Sequence, residues 1–455
     1  MIKYETNSKL VKPGQTFVAI KGATFDGHDY IDDAIKNGAT SLIVEHDVNT
    51  TVPYIVVNDV REYLKNKVIE EYSDYINDLN IVAVTGTNGK TTTCYLTYQM
   101  LNKLNIKTAY IGTIGFYYGD VKRELSNTTP DLLTLYNLLY EAKENGCTHV
   151  VMEVSSHSLE EERIAGLKFV CGAFTNLTQD HLDFHKTMEN YLNAKLKIMN
   201  YIINNGNMIV NYDDDYSKYF VKDNINTLKL GYRDGSDLLI KDAHFTPINT
   251  DITFVLNGEE KHIRTNLTSK FNVYNYLTCL YILLSLGVSI DKVFEITPSI
   301  YPPKGRCEII EVNKGVAVVD YAHTPDAVEK VITSFLELKN NKIITIVGCG
   351  GDRDPIKRPI MGDIACKLSD KVIFTNDNPR TEDPHKIMED ITKDLKYDNF
   401  KIIFDRKEAI ETAINEMDNN DIILILGKGH EDYQIIGREK IHFDDCEIVK
   451  NWKNN

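Results

Sequence analysis

Apolar positions along this chain fall into short blocks, and polar, helix-patterned stretches separate them. The runs "NIVAV" (80–84), "FVCGAF" (169–174), "KIITIV" (342–347), "KVIF" (371–374), "KIIF" (401–404) and "DIILIL" (421–426) have the length of strands. Strands alternating with helical patterns are the signature of parallel βαβ units. After the first run, Leu96, Met100, Leu101 and Leu104 recur at the spacing of one helical face. Upstream, "TFVAI" (16–20) and "SLIVE" (41–45) flank a helical stretch over 30–37, which suggests a small α/β unit of its own. Residues 60–79 are polar and helix-prone, and at "YPPKGR" (301–306) adjacent prolines interrupt the alternation. The pattern predicts an α/β protein with a small N-terminal substrate domain over 1–78. A central P-loop parallel-sheet domain follows over 79–302, and a C-terminal Rossmann-like domain over 303–455.

Bulk numbers narrow the class. A chain of 455 residues is long for one core. Its 42% hydrophobic and 26% charged residues are ordinary for a globular protein. No apolar run approaches the ~20 residues that span a bilayer, and the first residues lack an apolar signal-peptide core. The expectation is a cytoplasmic protein without a membrane partner. A net charge of −15 argues against nucleic acid as the main partner, yet a local basic basin can still hold a phosphorylated small molecule. The eight cysteines are scattered with no C-x-x-C pair, so neither a zinc knuckle nor a redox pair is indicated.

The stretch "VTGTNGKTTT" (84–93) is a phosphate-binding loop with altered spacing. The common motif, G-x-x-x-x-G-K-[ST], would place a glycine at 84, where Val84 stands; the glycine present is Gly86. Gly86 and Gly89 can take positive φ and turn backbone N–H groups toward phosphate oxygens, with the following helix N-terminus adding partial positive charge. Lys90 would reach the β/γ-phosphates and Thr91 would ligate Mg²⁺. The competing reading is a glycine-rich turn with an exposed lysine.

Further along, "VVMEVSSHSLEEERI" (150–164) delivers Glu153 at a strand end, a candidate hard ligand for Mg²⁺ or an ordinary polar terminus. Ser155 and His157 lack a G-x-S-x-G elbow. In "TNLTQDHLDFH" (175–185) the histidines at 181 and 185 have zinc-protease spacing, but Leu182 stands where the glutamate would be. Three clusters, "GCGGDRDPIKRP" (348–359), "TNDNPRTEDP" (375–384) and "GKGHEDYQ" (427–434), each follow a strand. Ligands of open parallel sheets bind beyond the carboxyl ends of the strands, so the clusters should converge on one edge.

Together with "MEVSSH" and "DYAHTPDAVEK", these segments occur in the order found in the Mur ligases, and the chain resembles that family from about residue 5 to 445. The altered loop spacing, with Gly86 as first glycine, is the family's own variant. The resemblance implies an ATP-dependent amide ligase of peptidoglycan precursor synthesis, acting through an acyl phosphate. It implies ATP contacts at Gly86, Thr87, Asn88, Gly89, Lys90, Thr91 and Thr92, with Asn272, Asn275, Arg306 and Asp320 also on the nucleotide. It implies magnesium ligands at Thr91, Glu153 and His181, and a carbamylated Lys195 formed with CO₂; from sequence alone Lys195 reads as a helix-surface lysine. Lys90, Lys195 and His181 are the expected catalytic set. Ser8 and the segment "FDGHD" (25–29) would face a uridine diphosphate, with Thr128, Thr129, Ser155 and Arg163 along the sugar-peptide part.

The tetrapeptide "DNPR" (377–380) indicates the incoming amino acid. An arginine fork pairs bidentately with a carboxylate, and meso-diaminopimelate has a distal carboxylate that lysine lacks. By resemblance, Arg353, Asp377, Asn378, Arg380, Gly427 and Glu431 would receive meso-2,6-diaminopimelate, and the acceptor would be UDP-N-acetylmuramoyl-L-alanyl-D-glutamate. The chain departs from the family at Asn7 and Lys9, where D-S-R is usual, and at Glu161, where many members have glutamine. Rival readings are a lysine-adding or paralogous Mur-type ligase, a folylpolyglutamate-type or cyanophycin-type ligase, and a nucleotide-binding regulator that makes no bond. A monomer is expected.

Overall fold

The computed structural model describes residues 2–22 and 25–453. They form two compact units. One holds residues up to Lys229 together with Thr278–Ser289; the other holds Leu230–Leu277 and residues from Ile290 onward.

The first unit contains two sheets. A small parallel sheet orders the strands Tyr4–Glu5, Thr16–Val18, Ser41–Val44 and Tyr54–Val56. The helix Val60–Ile76 leads out of it, and Asp59 accepts from the N–H groups of Arg61 and Glu62 at its start. That helix buries Val60, Leu64, Val68, Tyr72 and Ile76 at helical spacing. Strands Ile202–Asn211, Phe169–Phe174, Asn80–Thr85, His149–Glu153 and Thr108–Gly112 run parallel in that spatial order, and antiparallel Gly115–Tyr118 and Val121–Arg123 follow. The inner strands are apolar on both faces because helices cover both sides.

Register is what positions the chemistry. Val84 lies opposite Glu153 on one side and Ala173 on the other. The carboxyl ends of three neighbouring strands therefore open onto the phosphate loop, Glu153 and the 175–185 segment side by side.

The second unit contains the antiparallel strands Leu238–Phe245, Thr250–Leu256 and Glu259–Thr265. It also contains a sheet ordered Glu308–Val312, Gly315–Asp320, Asp421–Leu426, Ile343–Val347, Lys371–Phe374 and Phe400–Ile402. Only the first pair of this sheet is antiparallel. Ile343–Val347 and Asp421–Leu426 are buried throughout. The run at 401–404 gives only the short edge strand Phe400–Ile402. The helix Pro325–Leu336 begins with Thr324 accepting from Ala327 N–H and proline in its first turn, where its missing N–H costs nothing.

All eight cysteines are buried and unpaired. Among the described residues no helix is long and apolar enough to cross a membrane.

Candidate active site

The strand Asn80–Thr85 runs one residue past Val84, and the helix Lys90–Lys103 begins at Lys90. Between them Gly86 and Gly89 take φ of 148° and 86°. A Cβ on Gly86 would collide with the Thr175 hydroxyl, so close approach as well as φ demands glycine there. The neighbouring strand end pins the loop. Thr87 N–H donates to Asn176 O at 2.8 Å and Asn88 N–H to Asn176 Oδ1 at 2.9 Å, while the Thr175 hydroxyl donates to Asn88 O at 2.6 Å. Lys90 Nζ folds back onto the carbonyls of Gly86 and Thr87 at 2.9 and 2.8 Å. Thr91 and Thr92 are buried in the first helical turn. With Thr87 and Asn88 N–H held by Asn176, what the loop offers an anion is the N-terminus of the following helix and the Lys90 ammonium group.

Glu153 is fully buried and its carboxylate is saturated with donors. It accepts from Thr91 Oγ1 at 3.0 Å, Tyr110 OH at 2.6 Å, Thr113 N–H at 2.9 Å and Thr113 Oγ1 at 3.1 Å. Among the described residues, no three His, Cys, Asp or Glu side chains cluster tightly enough to hold a metal unaided. Mg²⁺, which takes one or two carboxylates and completes its shell with water and substrate phosphate, would bind Thr91 Oγ1 and Glu153 Oε2 in place of the hydrogen bond that joins them here.

His181 sits at φ 53° as the cap of the short helix Leu182–His185, edge-on to His157 at 4.9 Å and 6.2 Å from the Tyr191 ring. Burial lowers its pKa, and the charges of His157, Lys90 and Lys195 push the same way against Asp180. A neutral imidazole is the form that can ligate a metal.

Lys195 is 1% exposed, which overturns its reading as a helix-surface lysine. Its Nζ donates to Gly86 O at 2.8 Å and lies 4.5 Å from the Tyr191 ring centroid. Burial first, and the Lys90 charge second, hold its pKa well below the ordinary lysine value. A neutral amine is the form that attacks CO₂, so the residue fits a carbamate.

In the same unit a cavity of about 880 Å³ opens between the N-terminal and central sheets, lined among others by Ser8, Phe25, Gly27, Arg61, Glu161 and Arg163. Arg163 Nη1 donates to Thr129 O at 2.9 Å. The Thr129 hydroxyl donates to Glu153 O at 2.9 Å and accepts from Ser155 N–H at 3.1 Å. Thr128 meets Thr113, a Glu153 partner, at 3.0 Å. Thr128, Thr129 and Ser155 thus link the cavity wall to the acid strand. Glu161 pairs with Arg163, at 2.6 Å from Nη2 and 2.8 Å from Nε, so its charge is balanced. Asn7 and Lys9 also line the cavity.

In the second unit Asn272 and Asn275 are buried one helical turn apart, and Asn275 Nδ2 donates to Asn272 Oδ1 at 2.9 Å. Arg306 lies over the Tyr321 ring at 4.6 Å. Asp320 accepts from the N–H groups of Cys307 and Ala322 at 2.7 and 2.8 Å, and burial raises its pKa against the pull of Arg306.

The clusters after three strands of this unit do converge. Arg380 Nη1 donates to Gly351 O at 2.8 Å, and Arg353 lies across Gly350 from it. Asn378 Nδ2 donates to Glu431 Oε2 at 2.8 Å. Gly427, at φ 114°, lies against Asp377, whose Oδ2 would be 2.6 Å from an added Cβ. Lys428, fully buried, reaches both Asn378 Oδ1 at 3.2 Å and Glu431 Oε2 at 3.1 Å.

Sequence reasoning passed over Tyr110, Thr113, Lys428, Arg358 and His430. Tyr110 reads as a strand aromatic, and only Gly112, where a Cβ would strike both Tyr110 OH and Glu153 Oε1, hints at crowding there. The His430 ring lies tilted against Tyr321 at 4.9 Å, and burial lowers its pKa to about 3.

A variant phosphate loop beside a buried acid and a sunken lysine has the layout of a site for nucleotide phosphates. The chain belongs to the Mur ligase family. Its residues 4–86 match the model described as "Mur ligase family, catalytic domain", 84–283 the "Mur ligase middle domain" and 305–429 the "Mur ligase, glutamate ligase domain". It is 41% identical to the UDP-N-acetylmuramoyl-L-alanyl-D-glutamate–2,6-diaminopimelate ligase of Clostridium perfringens, over 98% of this chain and 93% of that protein. It is 42% identical to the ligase 1 of the same name from Clostridium acetobutylicum, with the same coverage. A solved structure of a ligase with that name superposes with a TM-score of 0.71 at 30% identity, covering 99% of this chain and 94% of the other.

Proposed function

We propose that this enzyme adds meso-2,6-diaminopimelate to the D-glutamate of UDP-N-acetylmuramoyl-L-alanyl-D-glutamate at the expense of ATP, in peptidoglycan precursor synthesis. The observation that carries the reading is the gathering of Arg380 Nη1, Arg353 and Asn378 O around Gly350, with the Asn378 amide bonded to Glu431. A guanidinium and a carboxylate presented together suit the carboxylate and ammonium of the distal amino-acid head. Lysine would leave Arg380 without its anion. The names of the relatives agree with this choice.

The residues divide the work. The helix N-terminus after the loop and the Lys90 ammonium group hold and neutralise the ATP phosphates. Thr91 and Glu153, with His181, would hold Mg²⁺, which when bound supplies charge neutralisation as the substrate carboxylate attacks the γ-phosphate. The attack forms an acyl phosphate and releases ADP; the amine then displaces phosphate to form the amide. Both attacking and attacked groups are anionic, so alignment and charge balance lower the barrier more than covalent help from the protein would. Lys195, as its carbamate, would add an anionic oxygen beside the metal. Ser8, Arg163, Thr128, Thr129 and Ser155 would orient the nucleotide-sugar peptide, Asn272, Asn275, Arg306 and Asp320 the adenosine part. The setting for this chemistry is the cytoplasm.

The test is direct. Purified protein is given Mg-ATP and UDP-N-acetylmuramoyl-dipeptide with either meso-diaminopimelate or L-lysine, and product masses and phosphate release are recorded. The reading expects a new amide with diaminopimelate and little with lysine. Equal use of both, or ATP turnover without an amide, overturns it.

A further inference from the structure

Arg358 lies on the helix Lys357–Leu368, and its side chain is 1% exposed. Its fork meets the Glu382 carboxylate twice: Nη1 to Oε1 and Nη2 to Oε2, both at 2.7 Å. Nη1 also donates to Asp390 Oδ2 at 3.0 Å, and Nη2 to Gly350 O at 3.3 Å. Glu382 follows Arg380 by two residues, and Gly350 precedes the carbonyl that Arg380 itself grips.

The same two turns are sewn together elsewhere. Gly351 N–H donates to Asn378 O at 2.9 Å, and Asp352 N–H to Glu382 Oε2 at 3.0 Å. The Thr381 N–H and hydroxyl donate to Asp352 Oδ2 at 3.1 and 3.0 Å. A Cβ on Gly351 would collide with Pro379 O, so the turns touch backbone to backbone. Arg380 and Asp352 both stand at positive φ, 52° and 53°. Non-glycine residues keep that conformation only where surrounding contacts over-determine it.

We infer that the Arg358–Glu382 pair is the positioning element that holds Arg380 and Arg353 in register, so that amino-acid recognition is set by a buried guanidinium that never touches the amino acid. The inference rests on the proposed diaminopimelate reading. An arginine is required because the fork must satisfy two oxygens of Glu382 while still reaching Asp390 and Gly350; a lysine offers one point charge. Loosening the pair displaces the Arg380 fork, and a fork displaced by about 1 Å loses bidentate contact.

The test compares Arg358→Lys and Glu382→Gln with the parent. Glu382→Gln keeps shape and carries the test if Arg358→Lys fails to fold. Steady-state rates give KM for amino acid, ATP and UDP-dipeptide, and melting temperature is recorded alongside. Both variants should raise KM for diaminopimelate by about tenfold or more, with KM for ATP and UDP-dipeptide within about twofold. The double variant should be no worse than the more severe single one, since both remove one network. An unchanged amino-acid KM, or an equal rise of all three constants, overturns the inference. The parent's own ranking of diaminopimelate and lysine separately judges the functional reading; the variant-to-parent ratio for whichever amino acid the parent uses judges the pair.

Discussion

Lys195 Nζ lies 2.8 Å from the carbonyl oxygen of Gly86, the first glycine of the phosphate loop, although 109 residues separate them. A buried amine thus shares an acceptor with Lys90, whose Nζ is 2.9 Å from the same oxygen. Two ammonium groups so close repel each other, and burial first, with the Lys90 charge second, lowers the pKa of Lys195.

That relationship predicts a dependence on CO₂. Lys195→Arg keeps a cation but cannot form a carbamate, and kcat should fall about 10²-fold or more, the scale for losing one preorganised charge at a transition state. CO₂-depleted buffer should lower wild-type activity and bicarbonate should restore it. Peptide mass spectrometry under trapping conditions should locate the adduct at Lys195. Full activity of Lys195→Arg would remove the carbamate from the account.

Arg380→Ala should abolish the choice between diaminopimelate and lysine. A site built to pair a polar group rejects analogues lacking it by up to about 10⁴–10⁵, and most of that ratio should disappear. Competition between the two amino acids, read by product mass, measures it. A variant as selective as its parent would refute the assignment.

Glu161→Gln should tighten the UDP-substrate. In the structure Glu161 occupies two nitrogens of Arg163, which must release it to address an anion. A half-exposed pair contributes about 0–1 kcal/mol, so KM for the UDP-dipeptide should fall by up to about fivefold. The salt dependence of KM should steepen as Arg163 becomes free. A rise in KM would indicate that Glu161 itself contacts the ligand.

The Arg358–Glu382 pair should make stability sensitive to acid. Hydrogen bonds from Arg358 lower the Glu382 pKa from 4.5 to about 2. Between those values the unfolded chain binds a proton that the folded one does not, so stability rises with pH there. The contribution is complete above about pH 4.5 and is lost as pH falls toward 2. Urea unfolding of the parent and Glu382→Gln at stepped pH should show their difference shrinking over that window. A pH-independent difference would mean the pair is not an ion pair in solution.

Much of this site was legible in the chain because it is local. The loop at 84–93, Glu153 at a strand end and the three clusters beyond parallel strands announce themselves by composition and by the rule that such sheets bind at one edge. What stayed hidden depends on register and burial. Lys195 sits on a short helix whose polar pattern says surface, and only the packing of Tyr191 beneath it and the return of the chain to Gly86 bury it. Arg358 was visible inside "GCGGDRDPIKRP", but its partners are 24 and 32 residues away, on separate turns and helices. Tyr110 becomes a partner of Glu153 only because its strand pairs parallel with His149–Glu153. No spacing rule in a linear sequence encodes such meetings.

The inward placement of every thiol leaves the outside of this enzyme inert toward maleimides and mild oxidants. A single cysteine introduced at an exposed site could therefore be coupled to a fluorophore or spin label with no prior removal of native sulfur. The signal of such a probe during turnover would come from the one introduced site, with every buried native thiol left in place.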